Sequence, residues 1–143
     1  MASRRFVTVR SGPIPLPPEA VMDRIRRPAT WPAWQPEIEA VDGPEVLEAG
    51  DEVTGPARLL GFQVDGRAHV LSVDDGALEQ DVLVGVRMRV RYEVRPGPSG
   101  SVVTHRLAVQ LPAGASGRLL SLVLRPRLRR LQAQALERLA GPT

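Results

Sequence analysis

Leu120-Ser-Leu-Val-Leu-Arg-Pro-Arg-Leu-Arg-Arg-Leu-Gln-Ala-Gln-Ala-Leu-Glu-Arg-Leu139 is the stretch on which the fold turns. Within it Leu120, Leu124, Leu128, Leu131, Ala135 and Leu139 recur at steps of four, four, three, four and four. With about 3.6 residues to a helical turn, those steps keep the six side chains on one side of a helix, an apolar stripe about five turns long. A helix striped in this way must lay that side against another apolar surface. Pro126 lies inside the run. It has no N–H and crowds the carbonyl four residues back, so it is expected to kink the helix or split it in two.

The partner surface is written upstream, where the apolar period changes to two. Strand-like runs cover approximately 38–47, 52–62, 64–73, 77–84, 86–95 and 102–111, and Phe6–Arg10 makes an earlier one. Clusters of turn residues separate them, among them Asp65-Gly66, Asp74-Asp75-Gly76 and Pro96-Gly-Pro-Ser-Gly100. After the first strand, Leu16–Arg27 opens with prolines where a helix needs no N–H, and Val21, Met22 and Ile25 then share one face. Pro28 ends that helix. A second short helical turn holds Trp31 and Trp34 and is stopped by Pro36. The expected architecture is α+β: a seven-stranded antiparallel sheet, two short helices after its first strand, and a long C-terminal helix covering its apolar face. Neither a linker nor an internal repeat interrupts residues 1–143, which read as a single domain.

Val86–Arg95 has the cleanest alternation in the chain. Val86, Met88, Val90, Tyr92 and Val94 fall on one side, Arg87, Arg89, Arg91, Glu93 and Arg95 on the other. The apolar set is expected to face the helix. The arginines then face water, where a turn near Gly85 would set Glu79 and Asp81 opposite Arg91 and Arg89 as cross-strand ion pairs. On the last strand Val103, His105, Leu107, Val109 and Leu111 share the inward parity. Tyr92 and His105 therefore stand near one another on the inner face, either directly opposite or with the register shifted by two so that His105 meets Val94. Gln80 shares the inward parity of Leu78 and Val82. His69 is expected to point outward.

All 19 basic residues are arginine, and the net charge is only +3, so the high pI of about 10.8 reflects the pKa of arginine more than an excess of charge. With five aromatic residues in all, the strands lack the aromatics that single-strand nucleic-acid readers place among their basic residues, and no specific nucleic-acid partner is expected. There is no cysteine, and the two histidines lie on different strands with no ligand-spaced carboxylate, so no metal is expected. Neither a nucleophile elbow nor a glycine-rich phosphate loop is present, and no cofactor is expected. The opening residues, Met1 to Val9, lack the apolar core of a secretory signal, and a cytoplasmic location is the expectation. Monomer and homodimer fit equally.

The segment Trp31-Pro-Ala-Trp34-Gln-Pro36-Glu-Ile38 resembles the short helix and "W-P-x-W-x-P-x-I" of the polyketide cyclase/dehydrase and lipid-transport superfamily, the START-like or Bet v 1-like helix-grip proteins. Gly50-Asp51 before a strand and Gly100-Ser-Val-Val-Thr104 at the start of the last one add to the likeness, which runs from about Phe6 to Leu139. The resemblance implies a curved sheet wrapped around the C-terminal helix, with an elongated apolar cavity between them for a lipid, polyketide, quinone or similar small molecule.

In that cavity the ligand-facing residues are expected to be Met22 and Ile25 of the first helix, Trp34 of the corner, and Leu120 and Leu124 of the last helix. Gln80, Val82, Met88, Val90, Tyr92, His105 and Leu107 are expected from the strands. The aliphatic lining would supply affinity and the few polar tips orientation. No pair of carboxylates is expected inside. An enzyme built here would therefore use His105 as acid or base and Tyr92 as hydrogen-bond donor to a developing enolate, as in an aldol cyclisation or dehydration. Binding without catalysis is the favoured reading. A third class is a partner-binding or lipid-presenting module, the latter docking its arginine-rich C-terminal helix on an anionic membrane; docking is the lesser reading, because the sheet needs that helix as its cover.

Overall fold

The structure, a computed structural model, describes residues 4–59 and 61–141. Six antiparallel strands form one sheet in the order β1-β6-β5-β4-β3-β2. They are β1 (Arg4–Ile14), β2 (Glu52–Leu59), β3 (Phe62–Asp74), β4 (Ala77–Leu83), β5 (Arg87–Gly97) and β6 (Gly100–Leu111). Between β1 and β2 lie α1 (Pro18–Arg26), a short turn of helix (Pro28–Thr30) and α2 (Trp31–Trp34); α3 (Ala115–Leu139) closes the chain.

The leucine stripe of residues 120–139 is the buried side of α3. Leu124, Leu128, Leu131, Ala135 and Leu139 are buried, and Leu120 half-buried. The helix packs chiefly on β1, with α2 and β6 as further neighbours. Pro126 leaves α3 a single element. Its ring sits on the exposed side, where the carbonyl freed by its missing N–H is open to water.

Six strands rather than seven is the main departure. Residues 38–47 make two isolated bridges to β2, Ile38 to Ala57 and Asp42 to Thr54, and no continuous ladder. Between the bridges the chain presses onto β2 at Gly55, where a Cβ would collide with the carbonyl of Ala40. Pro44 then withholds an N–H from any further pairing. Asp65-Gly66 is no turn. Both residues lie inside β3, paired with Pro56 and Gly55, and the chain reverses at Gly61 instead.

The last three strands match the alternation closely. β5 and β6 turn at Pro98-Ser99, and the register pairs Tyr92 directly with His105. On the outer face Glu79 pairs with Arg91 and Asp81 with Arg89. The Asp81–Arg89 ion pair closes to 2.6 Å, and Arg91 also reaches Glu93 at 2.8 Å. These pairs are solvent-exposed to half-buried and contribute little stability, about 0–1 kcal/mol each.

Candidate functional site: an apolar pocket with sealed polar walls

Because α3 packs chiefly against β1, the inner face of β5, β4, β3 and β2 needs further cover. The chain after α2 supplies part of it and leaves a pocket of about 100 Å³. Its floor is sheet: Val82, Met88, Val90 and Leu107, with Ala57 and Ala68 on the far strands. Its roof is the C-terminal half of α3, where Leu128, Leu131 and Ala135 look down. Exposed Ala40, Thr54 and Arg67 border it as well, and it opens on that side.

Polar groups enter from several elements. From the strands come Gln80 on β4, Tyr92 on β5 and His105 on β6; α3 brings Gln132, and the segment after α2 brings Gln35 and Glu37. Tyr92 and His105 are stacked, ring centroids 4.4 Å apart and planes 2° from parallel. Trp34 meets the other ring edge-on, 5.7 Å from Tyr92. Its indole N–H donates to Thr30 Oγ1 at 3.1 Å. Gln132 Nε2 donates to two backbone carbonyls, Thr8 at 3.2 Å and His105 at 3.1 Å, which ties α3 to β1 and β6 at once.

Several buried atoms in these walls have no hydrogen-bond partner among the described residues: both ring nitrogens of His105, Oε1 of Gln80 and of Gln132, Nε2 of Gln35 and Oε2 of Glu37. Such concentration is unusual, since buried polar atoms are nearly always paired. Burial lowers the His105 pKa to about 3, so the imidazole is neutral at ordinary pH. Burial also raises the Tyr92 phenol, and the Glu37 carboxylate adds to that rise. The Glu37 carboxyl is itself raised by burial, held back by its own backbone N–H and by the charges of Arg127 and Arg138. Glu37 is half-buried as a whole, but its Oε2 is enclosed.

Of the residues expected to face a ligand, Gln80, Val82, Met88, Val90, Tyr92, His105 and Leu107 are together in the pocket wall. Met22, Ile25 and Leu124 are buried core outside that wall, and Leu120 is half-buried at the other end of α3. Trp34 lies one layer behind Tyr92, and Trp31 takes the wall position instead, its Nε1–H donating to the Ile25 carbonyl at 3.0 Å. The physical reason is the partner each indole finds: the Trp31 N–H is fixed on the Ile25 carbonyl and the Trp34 N–H on Thr30 Oγ1, which turns the two rings apart. Glu37, Gln35 and Gln132 went unforeseen. Gln132 carries a signal in hindsight, because it lies four residues after Leu128, at a step that the stripe itself uses. His69 is exposed on β3, away from the pocket. Among the described residues no three His, Asp or Glu side chains converge as a metal site would require.

A curved antiparallel sheet gripping a long C-terminal helix, with an apolar pocket between, is the architecture of the Bet v 1-like helix-grip domains. The chain belongs to the polyketide cyclase / dehydrase and lipid transport family, whose model matches residues 5–141. Solved structures agree on the fold at low sequence identity. The di-domain ARO/CYC BexL from the BE-7585A biosynthetic pathway superposes with a TM-score of 0.78 at 17% identity, over 95% of this chain and 49% of BexL, so this chain spans about half of that protein. Ara h 8.0201 gives 0.74 at 11% identity, covering 96% of this chain and 97% of its own. SA2116 from Staphylococcus aureus, titled a protein of unknown function, gives 0.75 at 6% identity, covering 96% and 92%. No curated protein shows significant sequence similarity to this chain. Among the described residues no helix is long and apolar enough to cross a membrane.

Proposed function

We propose that the protein binds a small, mostly apolar molecule in the pocket between the sheet and the C-terminal half of α3. The observation that carries this reading is the combination of an aliphatic floor and roof with buried, unpartnered polar atoms in the walls. An engineered cavity of about 150 Å³ accepts benzene. A pocket of about 100 Å³ therefore suits one ring-sized or short-chain group, with any longer remainder leaving by the side bordered by Ala40, Thr54 and Arg67. Membership of the family and the likeness to an ARO/CYC domain make a lipid-like or polyketide-like compound the natural class.

Native mass spectrometry of protein purified from its own cell extract tests this directly, by revealing a co-purifying apolar compound. Trp31 in the wall provides a second readout, since occupancy should alter its fluorescence. A ligand at one hundred times its Kd stabilises the fold by about 2.7 kcal/mol, a melting shift of several degrees. Protein recovered empty, with no shift from lipids, quinones or aromatic polyketides, would overturn the reading.

Acid–base chemistry on a bound carbonyl compound is the second reading, and Glu37 is what favours it. Glu37 brings an enclosed carboxyl oxygen, its pKa raised by burial, to the wall that also holds the Tyr92 phenol, whereas His105, its pKa lowered by burial, is a weak base. Loss of turnover in Glu37→Gln with ligand affinity kept within about tenfold would support it, and unchanged turnover would end it.

A further inference from the structure

α3 has a second apolar side. Opposite the buried stripe, Leu119, Leu122 and Val123 are 65%, 70% and 49% exposed. With exposed Pro126 they follow the i, i+3, i+4, i+7 spacing of a single ridge. Other large exposed apolar residues, such as Phe62 at a hairpin end and Val9 on β1, lie on separate elements. Scattered ones are ordinary; three on one helical ridge are not.

Charge decides what would cover the ridge. Arg118, Arg125 and Arg129 run along one flank, and Arg130 continues the ridge itself four residues beyond Pro126, all exposed. No Asp or Glu occurs from Ala115 to Leu136. Among the described residues no ion pair engages any of those four arginines. Arg125 is held on the flank by the Phe6 ring, 5.0 Å from its centroid. Glu137, the first acid, lies roughly 22 Å along the axis from Leu122 at about 1.5 Å per residue.

We propose that this face of α3 is a docking surface for an anionic lipid bilayer, with Leu119, Leu122 and Val123 entering the interface and the flanking arginines meeting acidic headgroups. A second copy of the chain is a poor occupant, because a two-fold contact here would set arginine against arginine with no acid to separate them. Nucleic acid would use the arginines but leave the leucines without a role. Only a surface both apolar and negative satisfies both halves of the ridge. Docking does not depend on whether the pocket is filled.

The test is flotation of the full chain with vesicles of phosphatidylglycerol and phosphatidylcholine, against vesicles of phosphatidylcholine alone. Binding is expected to the anionic vesicles only, and to weaken at about 0.5 M NaCl. Leu119→Asn with Leu122→Asn should lower affinity about tenfold while the melting temperature holds, since both side chains are already in water. Arg118→Gln with Arg129→Gln should weaken binding comparably and reduce its salt dependence. Failure to float with anionic vesicles would overturn the proposal. So would binding that ignores the leucine changes, because arginine attraction to any polyanion, nucleic acid included, would then suffice.

Discussion

Tyr92 lies flat on His105 as a directly opposed cross-strand pair of β5 and β6, with Trp34 set edge-on behind the tyrosine. The stack closes the imidazole off on one face, and neither ring nitrogen finds a partner among the described residues. It is a hydrophobic use of a polar residue, and it has a measurable cost in acid. In the unfolded chain this imidazole takes up a proton near pH 6.5, in the fold only near pH 3. The unfolded state thus binds the extra proton between those values. The contribution to stability is fully present above the upper value and is lost as pH falls through the window.

For one such group the slope is at most about 1.4 kcal/mol per pH unit. His105→Phe retains a stacked ring and removes the titration. Urea denaturation between about pH 6.5 and pH 4.5 should therefore find the wild-type protein losing roughly 2–3 kcal/mol more than the variant. Parallel pH profiles would mean that the imidazole is open to protons in the folded state.

Gly117 reverses an ordinary expectation. Replacing a helical glycine with alanine usually stabilises by about 0.5–1 kcal/mol. Here the added Cβ would run into the carbonyl of Pro112, backbone that cannot swing aside. Gly117→Ala should instead destabilise by about 1–3 kcal/mol, read as a lower melting temperature. A more stable variant would show that the start of α3 can lift off the end of β6 at no cost.

Gln132 holds α3 to two strands through one amide. Gln132→Leu matches the surrounding leucines and would look like an improvement to an apolar stripe. It should nevertheless cost about 1–3 kcal/mol in chemical denaturation, because the Thr8 and His105 carbonyls lose their donor. Equal or higher stability would show that those carbonyls are adequately served by the β1–β6 ladder alone.

Ala135 is the small residue in the pocket roof, and it is 4% exposed. Ala135→Leu adds three carbons to a space of about 100 Å³. Affinity for the neutral fluorescent probe N-phenylnaphthylamine should fall about tenfold or more, with stability changed by no more than about 1–3 kcal/mol. Undiminished fluorescence enhancement would place the probe elsewhere on the protein.

How much of this could be read in advance depended on what fixed each residue. β4, β5 and β6 were legible together with one of two registers, because Val86–Arg95 alternates without exception and Gly85 and Pro98-Ser99 mark the turns. The buried side of α3 was legible for the same reason, a single period held over many residues. The 38–47 segment was not, because a strand-like composition does not reveal a close approach between one carbonyl and one glycine on another strand. Trp31 and Trp34 share a type and an environment, and only the hydrogen-bond partner each indole finds separates wall from second layer. Glu37 was missed because a carboxylate after Pro36 has no period to betray it. Its burial comes from β2 and α3, both distant in sequence. The exposed ridge of α3 was not legible, since Leu119, Leu122 and Val123 interleave with the buried stripe in sequence and an apolar residue there fits either side.

The sheet has two unlike borders. At β2 the bridged residues Ile38 and Asp42 lie across the outermost strand, but among the described residues β1, eleven residues long, has a ladder partner on one side only. An uncovered row of amides invites a stranger's strand. Arg5 and Arg10 project from this border into solvent, and Pro13 removes one donor near its end. Guanidinium groups keep their charge at every pH a cell experiences, so the repulsion they supply fails only when dissolved ions screen it. Concentrated salt, rather than acid or alkali, is the condition under which copies of this chain should begin to zip together edge to edge.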